Sequence, residues 1–331
     1  MVKNSFSKSD YLKWYKDMLL WRKVEEKASA LYIQQKIRGF LHLYNGQEAV
    51  LAGTVHVINP KKDKMITAYR NHVHPIAMGV DPKYIIAELM GKSTGVSKGN
   101  GGSMHMFSKK YNFFGGHGIV GGQIPLGAGI AFSDKYNRSK SVTLCFMGDG
   151  AVRQGSFHET LSMAMSWKLP VIFIIENNGY AMGTSLERTS NVTELYKLGR
   201  AFEMPCKAVD GMCVEEVAIE TKKAISNAYE GNGPTLLEMN TYRYKGHSMS
   251  DAQQYRTKEE IRKYQDIDPI LQVKETLFKK KYANKKQIKS IDDQVVDIVK
   301  KSVEFAESSP FPKPEDLYSN VYKQENYPFL K

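Results

Sequence analysis

The sequence predicts an α/β protein, with a mostly parallel sheet flanked by helices. Two observations predict that class. The runs Val142-Thr143-Leu144-Cys145-Phe146-Met147 and Val171-Ile172-Phe173-Ile174-Ile175-Glu176 are of strand length and nearly continuous in apolar character, as strands covered on both faces are. A helix-length stretch, Gln154 to Lys168, lies between them and stops before Pro170. Strand, helix and strand make a βαβ unit, which brings the carboxyl ends of both strands to one edge of a sheet, where open α/β sheets bind ligands.

The remaining elements follow in chain order. Residues 8–38 have amphipathic helical character, with apolar side chains recurring at Leu12, Tyr15, Met18, Leu19 and Trp21. The α/β body runs from about His42 to Tyr244. Its further strand candidates are Met65-Ile66-Thr67-Ala68, Cys206-Lys207-Ala208-Val209 and Thr235-Leu236-Leu237-Glu238-Met239. Helical stretches stand between them, including 214–229 and a glycine-punctuated one over 121–136. Beyond Asp268-Pro269 come helices over about 270–282 and 286–307 and a proline-bearing tail from Pro310. This layout divides into an N-terminal helical segment (1–41), an α/β domain (42–268) and a helical C-terminal extension (269–331) packing on the domain or on a partner.

Composition excludes several classes. A chain of 331 residues that is 42% hydrophobic has ample material for a core, and its apolar runs fall far short of a membrane span. The first residues lack a secretory apolar region, and the early acids Asp10, Asp17, Glu25 and Glu26 oppose a transit peptide. With an initiator Met, this points to a bacterial cytoplasm ahead of a mitochondrial matrix. Cys145, Cys206 and Cys213 have no metal spacing and read as reduced thiols, Cys145 as plain core. The net charge of +12 raises the question of nucleic acid. The lysines are dispersed, however, with the densest run at Lys279-Lys280-Lys281, and no basic motif is interleaved with aromatics. A solvated basic surface accounts for the charge, with neither nucleic acid nor membrane as partner.

The chemistry sits at the ends of the two diagnostic strands. Gly148-Asp149-Gly150 closes the first; residues 151 to 176 follow, and Asn177-Asn178 closes the second. A carboxylate and a carboxamide on neighbouring strand ends suit a hard cation such as Mg²⁺ that also holds a phosphorylated ligand. Gly148 and Gly150 permit a sharp turn that brings backbone N–H groups to an anion. The dinucleotide fingerprint is missing, since Ala151-Val152-Arg153 follows Gly150 and the next glycine is Gly155. A nicotinamide enzyme is therefore disfavoured.

The stretch GDGAVRQGSFHETLSMAMSWKLPVIFIIENNGYAMGTS resembles the alpha-subunit family of the pyruvate dehydrogenase component, within the thiamine diphosphate-dependent 2-oxoacid dehydrogenases. The resemblance extends from about His42 to the C-terminus through HLYNGQEA (42–49), AYRNH (68–72), GGSMHMF (101–107), GHGIVGGQIPLGAG (116–129) and TYRYKGHSMSD (241–251). It implies the diphosphate-binding domain of the thiamine diphosphate-binding fold, with thiamine diphosphate and Mg²⁺ as cofactors. Asp149, Asn178 and the Tyr180 carbonyl are the implied metal ligands. Tyr69, Arg70, Gly150 and Ala151 approach the diphosphate, His247 is a further cofactor-binding residue, and Gly118 and Val120 approach the aminopyrimidine through their backbones. His42 and His247 are the implied catalytic residues at the reaction end, able to bond a substrate carboxylate or carbonyl or to shuttle protons. Arg243 positions the same segment by ion pairing.

The implied reaction is oxidative decarboxylation of pyruvate with reductive acetylation of a lipoyl group, feeding acetyl-CoA formation. The chain has residues for only one α/β body, so the pyrimidine-binding half belongs on a separate beta subunit. That arrangement is an α2β2 heterotetramer, serving the lipoyl domain and core of a dihydrolipoyl acetyltransferase. Glu48 is the tempting in-chain acid for activating the aminopyrimidine, but the family places that acid on the beta subunit. A branched-chain 2-oxoacid or acetoin dehydrogenase alpha subunit is the alternative; GHSMSD favours pyruvate, since branched-chain relatives resemble HHSTSD. An inactive cofactor-holding subunit is opposed by intact Asp149, Asn178, His42 and His247.

The polar segment 242–259 reads as a mobile active-site loop. Ser248 and Ser250 match a region phosphorylated in mitochondrial relatives. Here the loop is one residue shorter after Asp251, and Gln254 replaces the serine before Tyr255, so no phosphorylation control is expected.

Overall fold

The structure is a computed structural model that describes residues 6–319. The first five residues of the chain and residues 320–331 of the proline-bearing tail lie outside the described residues. In chain order the elements are α1 (Lys8–Ile33), α2 (Glu48–His56), β1 (Lys64–Ala68), α3 (Val73–Ala77), α4 (Pro82–Leu89), β2 (Phe113–His117), α5 (Gln123–Tyr136) and β3 (Thr143–Gly148). They continue with α6 (Gly155–Ser166), β4 (Val171–Asn177), β5 (Tyr180–Ala181), β6 (Thr184–Ser185), α7 (Leu186–Thr189), β7 (Cys206–Asp210), α8 (Val214–Tyr229) and β8 (Thr235–Asn240). The last three are α9 (Lys258–Gln265), α10 (Pro269–Lys279) and α11 (Lys285–Ser308).

Six strands form one sheet in the order β2-β1-β3-β4-β8-β7, every neighbouring pair parallel. The strands bury both faces, and their side chains alternate between two apolar layers as the period of two requires. Met65, Leu144, Phe146, Ile172, Ile174, Leu237 and Met239 point to one layer, where α1, α2, α4, α10 and α11 pack. Ile66, Cys145, Met147, Phe173, Ile175 and Leu236 point to the other, against α5 and α6. Cys145 is core, as expected, and burial pushes its thiol well above the usual range.

α1 begins on a capping box, in which the Ser7 hydroxyl accepts the Asp10 N–H and the Asp10 carboxylate accepts the Ser7 N–H. Its buried stripe, Tyr11, Trp14, Tyr15, Met18, Trp21, Glu25, Ala28 and Leu31, recurs every three or four residues. The helix stops at Ile33, short of the expected 38, because Gln35 takes φ 58°, outside helical conformation. α10 and α11 start on Asp268-Pro269 and on Asn284, whose side chains accept the first free N–H groups. β2 was not among the sequence-predicted strands. Its sequence, FFGGH, carries two glycines, one at φ 103°, and shows no alternation, which hides a strand from pattern reading.

Strand order reverses at β1: the chain leaves it to form β2 on one side and returns to form β3 on the other. The crevice between the carboxyl ends of β1 and β3 is the topological switch point of the sheet.

Candidate functional site

The sequence-predicted residues collect at the carboxyl edge of the sheet. Tyr69 and Arg70 follow β1, Gly118 follows β2, Asp149 follows β3, Asn178 follows β4, and Arg243 and His247 lie on the segment after β8. His42 arrives from the chain leading into α2. Residues scattered over more than two hundred sequence positions thus meet because parallel strands all present the same end to one side.

The Asp149 turn and the Asn178 turn are set side by side by the β3–β4 register, in which Gly148 pairs with Glu176. Asn178 is buried, donating its side-chain N–H to Gln47 Oε1 at 3.0 Å and accepting the Tyr180 N–H on Oδ1 at 3.3 Å. Gln47 thereby fixes which way the carboxamide faces, a role that sequence reading did not assign although Gln47 stands in the quoted HLYNGQEA. The β5–β6 hairpin folds back on the Asp149 turn so closely that a Cβ at Gly150 would stand 2.7 Å from Ala181 Cβ. Glycine is required there by space, and the contact seats β5, which carries Tyr180, against the Asp149 turn. Burial raises the Asp149 carboxyl to about 6, with hydrogen bonds from its own and the Gly150 N–H opposing the rise.

The second group surrounds Arg70. The rings of His42 and Tyr69 lie 4.7 Å apart, those of His42 and His247 5.0 Å, and those of Tyr69 and His247 5.6 Å. Arg70 is buried and donates to the Leu43 carbonyl at 2.6 Å and the His247 carbonyl at 3.0 Å. Burial and the neighbouring Arg243 cation lower its guanidinium to about 10. His42 is lowered to about 3 and His247 to about 4, in both cases chiefly by burial and then by Arg70, so both imidazoles are neutral at pH 7. The Nδ1 atoms of both rings are buried without a hydrogen-bond partner.

Arg243 does not position the segment by ion pairing, contrary to expectation. Its guanidinium donates to the Lys245 and Met182 carbonyls at 3.0 and 3.1 Å and to the Tyr255 hydroxyl at 2.8 Å. Asp251 accepts the His247 N–H at 2.6 Å and the Tyr255 hydroxyl at 2.8 Å, and Arg256 donates to the carbonyls of residues 243 to 245. Those partners were not visible in sequence because most are backbone groups and the rest a tyrosine hydroxyl, none of which charge pairing points to. The segment is irregular from Thr241 to Thr257, and its expected last residues belong to the first turn of α9.

Gly118 and Val120 lie on the turn between β2 and α5, where a Cβ at Gly121 would stand 2.8 Å from Gln154 and 3.7 Å from the Ala151 carbonyl oxygen; Val120 is 45% exposed. Glu48 is engaged elsewhere. It is buried in an ion pair with Arg22, which also reaches Asp268 at 2.9 Å, and burial is the largest influence on its raised carboxyl.

The donor set fits a diphosphate and a divalent cation. Arg70 and Arg243 are buried guanidiniums with no carboxylate within ion-pairing distance among the described residues, a costly arrangement that an anion would relieve. Asp149 is the complementary case, a buried carboxylate that a cation would relieve. No cluster of three or more acidic, histidine or cysteine metal donors occurs among the described residues. A cation here therefore needs oxygen from a carboxamide, a carbonyl and the anion itself, the ligand set of Mg²⁺ with phosphates.

The model of the family described as "Dehydrogenase E1 component" matches residues 16–315. A pyruvate dehydrogenase E1 component subunit alpha of Rickettsia bellii is 48% identical over 315 residues, covering 95% of this chain and 96% of the relative. That of Rhizobium meliloti is 49% identical over 317 residues, covering 96% and 91%. The chloroplastic subunit alpha-3 of Arabidopsis thaliana is 43% identical over 322 residues, covering 96% and 75%.

Proposed function

The chain belongs to the dehydrogenase E1 component family, and from that premise we propose that it works as the alpha subunit of a pyruvate dehydrogenase (acetyl-transferring). The reaction is the oxidative decarboxylation of pyruvate with transfer of the acetyl group to the lipoyl arm of an acetyltransferase, at the entry from glycolysis to acetyl-CoA. Thiamine diphosphate, when bound, supplies the nucleophilic carbon that attacks the 2-oxo group and the electron sink that lets carbon dioxide leave.

This chain's residues bind and orient. Asp149, Asn178 Oδ1 and the Tyr180 carbonyl would hold Mg²⁺, Tyr69, Arg70, Gly150 and Ala151 would hold the diphosphate, and His247 would contact the cofactor at the reaction end. Gly118 and Val120 offer backbone groups to the aminopyrimidine. His42 and His247, both neutral, present ring nitrogens at the reaction end, where they accept or pass a proton. The observation that carries the cofactor reading is the pair of buried guanidiniums, Arg70 and Arg243, beside the buried Asp149 carboxylate at the switch point of the sheet.

The missing half of the site is supplied by a beta subunit in an α2β2 assembly. The outer face of α5 and α6 supports this. Leu126, Phe132, Tyr136, Met163 and Trp167 are exposed there, and Phe132 lies 6.3 Å from Tyr136 and 5.4 Å from Trp167. An apolar face of that kind marks a protein partner. The exposed Ile119-Val120 turn leads directly into it, so a subunit seated there would also cover the aminopyrimidine contacts. No helix among the described residues is long and apolar enough to cross a membrane, and we place the enzyme in a bacterial cytoplasm.

The test is a panel of 2-oxo acids on the chain co-expressed with a beta partner, with thiamine diphosphate, Mg²⁺ and an artificial electron acceptor. Turnover of pyruvate well above 3-methyl-2-oxobutanoate, abolished by Asp149→Ala, is the expected result. Preference for the branched acid would overturn the substrate assignment and keep the site.

A further inference from the structure

A buried chain of polar side chains runs beneath the reaction end and ends on His42. Glu25, on α1, and His72, just past β1, are buried with Glu25 Oε2 2.8 Å from His72 Nδ1. His72 Nε2 lies 2.7 Å from Ser103 Oγ, and the His42 main-chain N–H donates to that same Oγ at 3.4 Å. The other Glu25 oxygen accepts the Tyr44 N–H at 3.0 Å, so one carboxylate ties down both flanks of the His42–Tyr44 segment. Asn71 Nδ2 donates to the Ser103 and Tyr69 carbonyls, each at 2.8 Å, which joins the chain to the end of β1.

The contacts close in one direction when His72 donates Nδ1–H to the Glu25 carboxylate, the Ser103 hydroxyl donates to His72 Nε2, and the Ser103 oxygen accepts the His42 N–H. The same order of groups occurs in serine hydrolases, but Ser103 is no nucleophile here. The neighbouring Gly101 and Gly102 N–H groups that could stabilise an oxyanion are already taken by Glu88 Oε1, at 2.7 and 3.1 Å.

We propose that Glu25, His72 and Ser103 are positioning residues, a relay from α1 that sets the His42 main chain and thereby aims its imidazole at the reaction end. The proposal rests on His42 acting there, as in the function above. Its physical basis is that His42 has no hydrogen bond on Nδ1 to orient its ring. Ring placement then depends on its packing against Tyr69 and His247 and on where the backbone is held. The relay holds that backbone from α1, which packs in the same apolar layer as Leu41, Leu43 and Tyr44.

The test compares Ser103→Ala and Ser103→Thr with the parent chain in the assembled holoenzyme. Two readouts are the kinetics with pyruvate and the rate at which diethyl pyrocarbonate modifies His42 and His247, followed by peptide mass spectrometry without substrate. Ser103→Ala is expected to lower kcat about five- to tenfold with KM and cofactor affinity nearly unchanged, while the melting temperature falls by a few degrees because His72 Nε2 and the His42 N–H lose a partner. It is also expected to change His42 modification about threefold or more while leaving His247 as it was, and Ser103→Thr restores both. Unchanged kcat and His42 reactivity in Ser103→Ala would overturn the relay. So would a loss of cofactor affinity and melting temperature that fully parallels the loss of kcat, since that is what scaffolding alone produces. If the parent chain turned over no 2-oxo acid, the functional reading would fail, and the His42 modification rates would still decide whether Ser103 positions it.

Discussion

The close contact between Gly150 and Ala181 gives the sharpest test of how the proposed metal site is built. In Gly150→Ala the added Cβ would stand 2.7 Å from Ala181 Cβ and 3.7 Å from Ala181 Cα. Ordinary carbon contacts are about 3.5–4.0 Å, so the β5 strand must retreat by roughly 1 Å, carrying the neighbouring Tyr180 carbonyl with it. Gly150 is not in the left-handed region, and alanine meets no backbone strain there; the whole effect is this one clash. Overpacking of this kind costs about 1–3 kcal/mol. Expressed as weaker metal binding, that is a loss of about 10- to 100-fold in Mg²⁺ affinity. Calorimetric titration of Mg²⁺ into the assembled enzyme with thiamine diphosphate reads the loss, and thermal melts confirm that the sheet is intact. Ala181→Gly removes the opposing methyl, so the double variant Gly150→Ala/Ala181→Gly is expected to recover to within about threefold. Parent-like Mg²⁺ binding by Gly150→Ala, or no recovery in the double variant, would refute the claim that the hairpin delivers a metal ligand.

Three further outcomes are expected. Arg70→Lys keeps the charge but replaces a planar fork with a single compact donor, which cannot span the Leu43 and His247 carbonyls and still face an anion. Thiamine diphosphate affinity falls about tenfold by titration calorimetry, and an unchanged affinity would remove Arg70 from the diphosphate site. His74 lies buried between the rings of Tyr44 and Phe146 with neither ring nitrogen bonded, and burial lowers it to about 3. Its unfolded-state value is about 6.5, so its stabilising contribution is complete above that pH and is lost as pH falls toward 3. His74→Leu therefore flattens the decline in melting temperature between pH 6.5 and 4, by on the order of 3 kcal/mol at the acid end; a parallel decline in both proteins would contradict this. Glu48→Gln leaves Arg22 short of a charge partner inside the molecule and lowers stability by about 3 kcal/mol or more, while the assembled enzyme keeps most of its kcat. Loss of kcat without loss of stability would instead make Glu48 the acid that activates the cofactor.

The parts of the molecule legible in sequence share a physical reason. β3, β4 and β8 are near-continuous apolar runs because both faces are covered, and α8 begins and ends where its periodic pattern does. Asp149 and Asn178 were legible because each directly follows such a strand, and a parallel sheet leaves strand ends no choice of side. β2 was hidden by its glycines. Gln47, Glu25, His72 and Ser103 were hidden because their work is to hold other groups, and nothing in local spacing says which distant atom a buried polar group will meet. Arg243 shows the same limit: its chemistry suggested an acidic partner, and the fold supplied two carbonyls and a tyrosine hydroxyl instead.

The sequence by itself determined the α/β class, the two strand ends that carry Asp149 and Asn178, the proposed metal ligands, and the family in which they occur. It could do so because buried strands and tight glycine turns impose their requirements on consecutive residues. Tertiary structure alone decided that Arg70 and Arg243 would be buried with no carboxylate in ion-pairing distance among the described residues, that His42 and His247 would meet ring to ring, and that a carboxylate on α1 would steady the His42 segment. Those relations join residues up to about two hundred positions apart. They exist only once the sheet has brought its carboxyl ends together and packing has excluded the water that would otherwise have paired with each group.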